Sequence, residues 1–158
     1  LGHICTIGYA FGDDEVNTIH VSNVADEADS LALFFAMLPS QGQNRFIGHY
    51  ISGFDLRFIQ CRAVVLGVKM PHAVTFPRNP KPWAESVFDT MTAWSGPKDK
   101  ISLDNLCRAL GIEGKGDFDG AMVAKAWVDG EHQKIADYCK SDVEAVRAIY
   151  RKFEAVGF

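Results

Sequence analysis

Two short apolar strands separated by one helix constrain the fold of this chain more than any other feature. The strands are predicted at Arg45–His49 and Ser86–Asp89, and the helix between them ends at Gly67. The expected inner face of that helix consists of Phe54, Phe58, Cys61 and Val65. A strand, a helix and a second strand in this order imply parallel pairing with a right-handed crossover.

The segments on either side extend this pattern to an α/β fold. A hairpin is predicted from the strands Ile4–Phe11 and Val16–Val21, which flank the polar turn Gly12–Glu15. The helix Asp26–Leu38 follows, with an apolar stripe formed by Leu31, Phe34, Phe35 and Leu38. Further helices are predicted from Ser102 to Gly111, from Ala121 to Val128 and from Glu131 to Ala155. The length predicts a single domain across residues 1–158.

Composition limits the function classes. No apolar run approaches the ~18 residues of a membrane span, and the first residues do not form a signal peptide, so we expect a cytoplasmic protein. The cysteines stand singly, which disfavours a zinc site and indicates free, buried thiols. A formal charge of −4 argues against a purely electrostatic clamp on a duplex. Nucleic acid remains possible as a substrate, because bound divalent metals supply positive charge.

Carboxylates follow both strands of the parallel pair. Asp55 stands in the first turn of the helix after the first strand, and Asp89 ends the second strand. Ligands of open α/β sheets bind beyond the carboxyl ends of strands, and carboxylates suit Mg²⁺ and Mn²⁺. In the alternative interpretation, Asp55 is only a favourable charge at a helix N-terminus and Asp89 only caps the next helix.

The segment "IADYCKSDVEAV" places Tyr138 four residues before Asp142. On a helix, this spacing brings the phenol and the carboxylate to one face. Tyr138 could equally pack in the core while Asp142 meets water. Competing motifs fail, because "GIEGKG" lacks the first glycine and the Ser or Thr of a phosphate loop. Of the five histidines only His49, which ends a strand near Asp55, remains a candidate.

The segments "GHYISGFDLRFI", "VFDTM", "ISLDNLCRALGI", "KGDFDG" and "IADYCKSDVEAVRAIY", in this order, resemble the DEDD superfamily of 3′–5′ exonucleases. Within it the chain looks most like the predicted exonucleases related to the proofreading domain of B-family DNA polymerases, and more distantly like RNase D. The resemblance extends from Ile4 to Tyr150. It implies a ribonuclease H-like mixed sheet flanked by helices.

The resemblance also implies roles for individual residues. Asp55 and Asp142 would bind two Mg²⁺ or Mn²⁺ ions close together at one sheet edge, and Tyr138 would orient the attacking water. The substrate would be a single-stranded DNA or RNA 3′ end. Its expected contacts are His49, Phe54 and Lys115, with Phe76 and Trp83 stacking on bases and Arg78 or Lys81 meeting phosphate.

Two departures from the family pattern stand out. Tyr50 occupies a position where relatives usually carry Asn, a change that we expect to be peripheral, and no D-x-E motif lies on a leading strand. Asp13–Glu15 has the required letters but falls in the hairpin turn. Since the family's first strand lies at the centre of the sheet, we expect about 10–25 further residues before Leu1, forming a strand that carries D-x-E.

Two other functions stay open at this point. One is a catalytically inactive relative that binds nucleic acid or takes part in assembly. The other is a hydrolase for small phosphoesters.

Overall fold

The computed structural model describes residues 2–40, 44–81, 83–113 and 118–158. The strands are β1 (Thr6–Tyr9), β2 (Asn17–His20), β3 (Phe46–Gly48) and β4 (Val87–Asp89). The helices are α1 (Glu27–Met37), α2 (Asp55–Leu66), α3 (Thr90–Ser95), α4 (Leu103–Ala109), α5 (Val123–Val128) and α6 (His132–Glu154). The chain forms two compact units: unit 1 comprises Leu1–Glu27 and Leu103–Phe158, and unit 2 comprises Ala28–Ser102.

Unit 1 contains the predicted hairpin. β1 and β2 pair antiparallel, with Thr6 opposite His20 and Tyr9 opposite Asn17. Gly12 has a φ of +54° in the connecting turn, a conformation that glycine adopts without a steric penalty. The long helix α6 packs on the hairpin. Its buried side chains are Ile135, Ala136, Ala145, Ile149 and Phe153.

Unit 2 contains the predicted parallel pair. Ile47 of β3 lies opposite Phe88 of β4, which confirms the pairing direction inferred from the order of elements. The ring of Phe76 packs against Phe35 and Phe46, with centroid distances of 5.2 and 5.5 Å. The apolar stripe of α1 is buried as predicted. The α/β class is therefore confirmed.

The predicted inner face of α2 is wrong. Phe54, Cys61 and Val65 are exposed, and the buried residues are Leu56 and Ala63. This helix carries two overlapping apolar stripes at helical spacing, and periodicity alone does not select between them. The same exposure contradicts the expectation of a buried thiol at Cys61.

Among the described residues, β1 pairs only with β2 and β3 only with β4. The further strand expected beside β1 and β3 stays a prediction, as do the single domain and the ribonuclease H-like arrangement. None of the described helices is long and apolar enough to cross a membrane.

Candidate active site

Tyr138 and Asp142 lie one turn apart on α6, so the predicted helical spacing is correct. Both side chains are half-buried in unit 1. The ring of Tyr138 packs edge-on against Phe118, with 5.1 Å between the ring centroids. Its Oη lies 3.9 Å from the position that a Cβ atom would occupy at Gly120. The ring is thus anchored by packing, while the hydroxyl lies beside a residue without a side chain.

Asp55 is the first residue of α2, and its side chain is exposed. The preceding Phe54 provides no side-chain cap, so the carboxylate of Asp55 is the acidic group in the first turn. A negative charge there is favoured by the helix dipole. An exposed carboxylate is also available to a metal ion. Both interpretations agree with this placement, and the metal role of Asp55 stays a prediction.

The expected substrate contacts differ in their surroundings. Phe54 is 56% exposed and stacks on Phe58, with ring centroids 5.6 Å apart and planes inclined by 10°. Phe58 therefore supports one face of the Phe54 ring. An exposed aromatic ring held in this way suits the stacking of a base. Lys115 lies outside the described residues.

His49 is engaged inside unit 2 through both ring nitrogens. Nε2 lies 2.9 Å from the carbonyl oxygen of Ile101, which only accepts, so Nε2 carries a proton. Nδ1 lies 2.9 Å from Oγ1 of Thr90. A contact between substrate and a ring nitrogen of His49 would have to replace one of these bonds, and its substrate role stays a prediction.

Asp89 caps α3, as its alternative interpretation predicted. The residue is buried, and its side chain accepts hydrogen bonds from the backbone N–H groups of Met91 and Thr92. It also accepts from the N–H groups of Tyr50 and Ser52 in the bend after β3, at 2.9 and 3.2 Å. The carboxylate therefore holds the bend that leads to α2 against the end of β4.

The proline-rich segment "PHAVTFPRNPKPW", which begins at Pro71, does not fulfil one of its expected roles. Phe76 is fully buried in the aromatic core of unit 2, so it is not available to stack on a base. Trp83 is 78% exposed, with Nζ of Lys81 lying 5.9 Å from its ring centroid. Arg78 donates a hydrogen bond to the carbonyl oxygen of Pro71. The proline content of this segment indicates an irregular loop, but it does not indicate which aromatic residue turns inward.

The described residues contain no group of three or more His, Cys, Asp or Glu side chains that could hold a metal ion. Asp55 belongs to unit 2 and Asp142 to unit 1. Their expected approach to within metal-binding distance of each other stays a prediction.

The charge is divided unevenly between the units. Unit 2 carries eight Lys and Arg against five Asp and Glu, a formal charge of +3. The remaining residues carry eight against fifteen, a formal charge of −7. Although the formal charge of the whole chain is −4, unit 2 is basic. Unit 2 is therefore the more favourable of the two units for an anionic ligand.

Unit 2 also contains a concavity that the sequence analysis did not anticipate. Its wall includes Tyr50, Ser52, Asp89, Lys98 and Lys100, and its volume is about 320 Å³. The two lysines in "GPKDK" were the available signal, because paired cations in a short turn suit anion binding.

A comparison with models of protein families identifies the family of this chain. Residues 2–157 match the model of a protein family that is described as "predicted 3′–5′ exonuclease related to the exonuclease domain of PolB". No curated protein matches the chain.

Proposed function

Because the chain belongs to the family of predicted 3′–5′ exonucleases related to the exonuclease domain of PolB, we propose that it hydrolyses the terminal phosphodiester of single-stranded DNA or RNA with divalent metal ions. The observation that carries this proposal is the placement of Tyr138 and Asp142 one turn apart on α6. A hydroxyl and a carboxylate at this spacing can orient a water molecule and bind a metal ion side by side.

The donor set suits Mg²⁺ or Mn²⁺. Asp55 and Asp142 would hold the ions through carboxylate oxygens, the donors that these hard cations prefer. Each carboxylate would supply part of a coordination sphere, and ions of this kind retain several waters and take substrate phosphate as a further ligand. When bound, ions of this kind would supply Lewis-acid chemistry, lowering the pKa of the attacking water and stabilising charge on the leaving oxygen. We further propose a ribonuclease H-like mixed sheet flanked by helices.

The protein's own groups orient the reactants. The hydroxyl of Tyr138 holds the water by a hydrogen bond, a task that requires no strong base. The water attacks phosphorus, the bond from phosphorus to the 3′ oxygen breaks, and a nucleoside 5′-monophosphate leaves. The shortened strand ends in a 3′ hydroxyl. Phe54, stacked on Phe58, offers a surface for a base near the end of the strand.

The direct test is incubation of the protein with a single-stranded oligonucleotide labelled at its 5′ end, with Mg²⁺, with Mn²⁺ or with EDTA. We expect a ladder that shortens from the 3′ end and releases mononucleotides when either ion is present. Asp55→Asn and Asp142→Asn should each abolish the ladder, because each removes a charged ligand. A chromogenic phosphodiester, run in parallel, identifies a hydrolase of small phosphoesters.

Two control variants match these substitutions. Asp29→Asn changes an exposed acid on α1 in unit 2, and Glu144→Gln changes an exposed acid on α6. Both should degrade the oligonucleotide at the wild-type rate. A protein that binds the oligonucleotide but leaves it intact with both ions would contradict the proposal and identify an inactive binding module.

A further inference from the structure

The concavity in unit 2 has the dimensions of a small-ligand site. It lies between the bend after β3 and the segment after α3, and its volume of about 320 Å³ is at the lower end of the range for ligand pockets. We refer to it as the Tyr50 pocket, defined by Tyr50, Ser52, Asp89, Met91, Lys98 and Lys100. A space of this size suits one nucleotide.

The exposed charges of the wall, two lysines and Asp99, sum to +1 and favour an anion. Lys98 and Lys100 are both exposed, and they belong to the unit with a formal charge of +3. Two acids share the wall. Asp89 is 4% exposed, and its carboxylate already accepts backbone N–H groups from two sides. Asp99 is exposed between the lysines and opposes them.

Tyr50 fixes the position of Lys100. Nζ of Lys100 lies 4.8 Å from the ring centroid of Tyr50 and donates to its hydroxyl over 3.5 Å. The ring lies against Gly53, where an added Cβ atom would stand 2.2 Å from Cε2 of Tyr50. One cation is therefore held at the wall by a ring that is itself packed, which reduces the entropy lost on binding.

The backbone of Tyr50 supports a functional interpretation. Its φ of +57° is uncommon for a residue with a side chain, and such strained residues concentrate at ligand sites. The hydrogen bond from its N–H to Asp89 holds this conformation. Ser52, in the same wall, has a buried Oγ with no hydrogen-bond partner in the described part of the chain.

We infer that the Tyr50 pocket binds a phosphate group of a nucleotide, supplied either by the substrate strand or by the released nucleoside 5′-monophosphate. This inference rests on the proposed function and adds a substrate subsite to it. Gly53, which supports the ring, precedes Asp55 by two residues, and two residues span at most about 7 Å. The pocket therefore lies near the predicted metal ligand of unit 2 and suits the nucleotide next to the reacting phosphate.

The test measures binding without catalysis. Equilibrium dialysis in EDTA compares thymidine 5′-monophosphate, thymidine and an intact oligothymidylate on the wild type and on the double variant Lys98→Gln with Lys100→Gln. We expect the double variant to raise the Kd of a phosphate-bearing probe at least about tenfold, because two charge-assisted contacts are lost. Thymidine should bind weakly to both proteins. A change in the Kd of the mononucleotide identifies a site for the released product. A change in the Kd of the oligonucleotide alone identifies a site for the substrate strand.

Two further variants guard against misinterpretation. Lys69→Gln removes an exposed lysine of unit 2 outside the pocket wall and should leave each Kd unchanged. Asp99→Asn removes the opposing charge and should tighten binding of phosphate-bearing probes severalfold. If the protein degrades oligonucleotides but the Kd values are unchanged in both the double variant and Asp99→Asn, the inference about the pocket is overturned and the proposed function stands. Pocket-dependent binding in a protein that degrades nothing would support the inference and contradict the proposed nuclease.

Discussion

Gly8 on β1 and Cys139 on α6 lie so close that a Cβ atom added at position 8 would stand 2.7 Å from Sγ of Cys139. The same atom would stand 3.0 Å from Cγ2 of Val143, one turn further along the helix. Tyr138 and Asp142 precede these two contact residues by one position each. Because position 8 has no side chain, β1 can lie close to the turn of α6 that carries the candidate catalytic pair, Tyr138 and Asp142.

Gly8→Ala should destabilise the protein by about 1–3 kcal/mol, the usual cost of adding a methyl group to a closely packed site. Urea unfolding followed by circular dichroism measures the loss. Gly120→Ala is the matched control, because its added Cβ would meet nothing closer than Oη of Tyr138 at 3.9 Å. Equal unfolding midpoints for the two variants would show that α6 shifts freely on β1, contrary to this prediction.

A second prediction concerns Glu27, which is completely buried at the start of α1. Its Oε1 accepts a hydrogen bond of 2.8 Å from the backbone N–H of Ile4. Glu27→Ala should cost about 1–3 kcal/mol for the orphaned amide, with the cavity adding to that loss. Glu27→Gln keeps the shape and an oxygen acceptor, so it should recover most of the stability in the same assay. An alanine variant as stable as the glutamine variant would contradict the role of this bond.

A third prediction is a loss of stability in mild acid. The rings of His20 on β2 and His132 on α6 lie 4.8 Å apart, and the ring nitrogens of His20 are buried without a hydrogen-bond partner among the described residues. Burial lowers the pKa of His20 below its ordinary 6.5, and His132 lowers it further. Unfolded His20 therefore binds its proton at a higher pH than folded His20, so the free energy of unfolding should fall as pH drops below about 6.5.

The measurement is the urea midpoint at about pH 7.5 and about pH 5.5, on either side of the unfolded pKa. His20→Phe keeps an aromatic ring that does not titrate, and it should reduce the dependence on pH. His72→Gln changes an exposed histidine and should leave the difference between the two urea midpoints as it is in the wild type. If the urea midpoint changes with pH by the same amount in the wild type and in His20→Phe, the acid sensitivity arises from other groups.

The sequence predicted the features that depend on local pattern. The hairpin, the parallel order of β3 and β4, and the helical spacing of Tyr138 and Asp142 follow from alternation, element order and periodicity. The capping role of Asp89 followed from its position between a strand and a helix.

Features that depend on tertiary packing were not predictable in this way. The buried face of α2 and the burial of Phe76 depend on which apolar surface finds a partner. The Tyr50 pocket combines segments almost 50 residues apart with a tyrosine in the left-handed region, which residue preferences do not indicate. Only the folded chain brings its lysines beside Tyr50.

The last prediction tests the candidate orienting group. Tyr138→Phe removes only the hydroxyl, and the ring contact with Phe118 remains possible. Turnover of a single-stranded oligonucleotide should fall by about 10²-fold or more, the usual contribution of a group that positions or transfers a proton. The Mn²⁺ concentration for half-maximal rate should not change, because Asp55 and Asp142 are intact. Single-turnover rates at several Mn²⁺ concentrations measure both quantities.

Tyr150→Phe makes the same substitution three turns further along α6, on a side chain that is also half-buried. It should leave the rate per folded molecule unchanged, which separates the chemistry of position 138 from any general effect of losing a phenol on this helix. A rate for Tyr138→Phe equal to that of Tyr150→Phe would return Tyr138 to a packing role. A higher Mn²⁺ requirement in Tyr138→Phe alone would instead indicate that its hydroxyl supports a metal ligand.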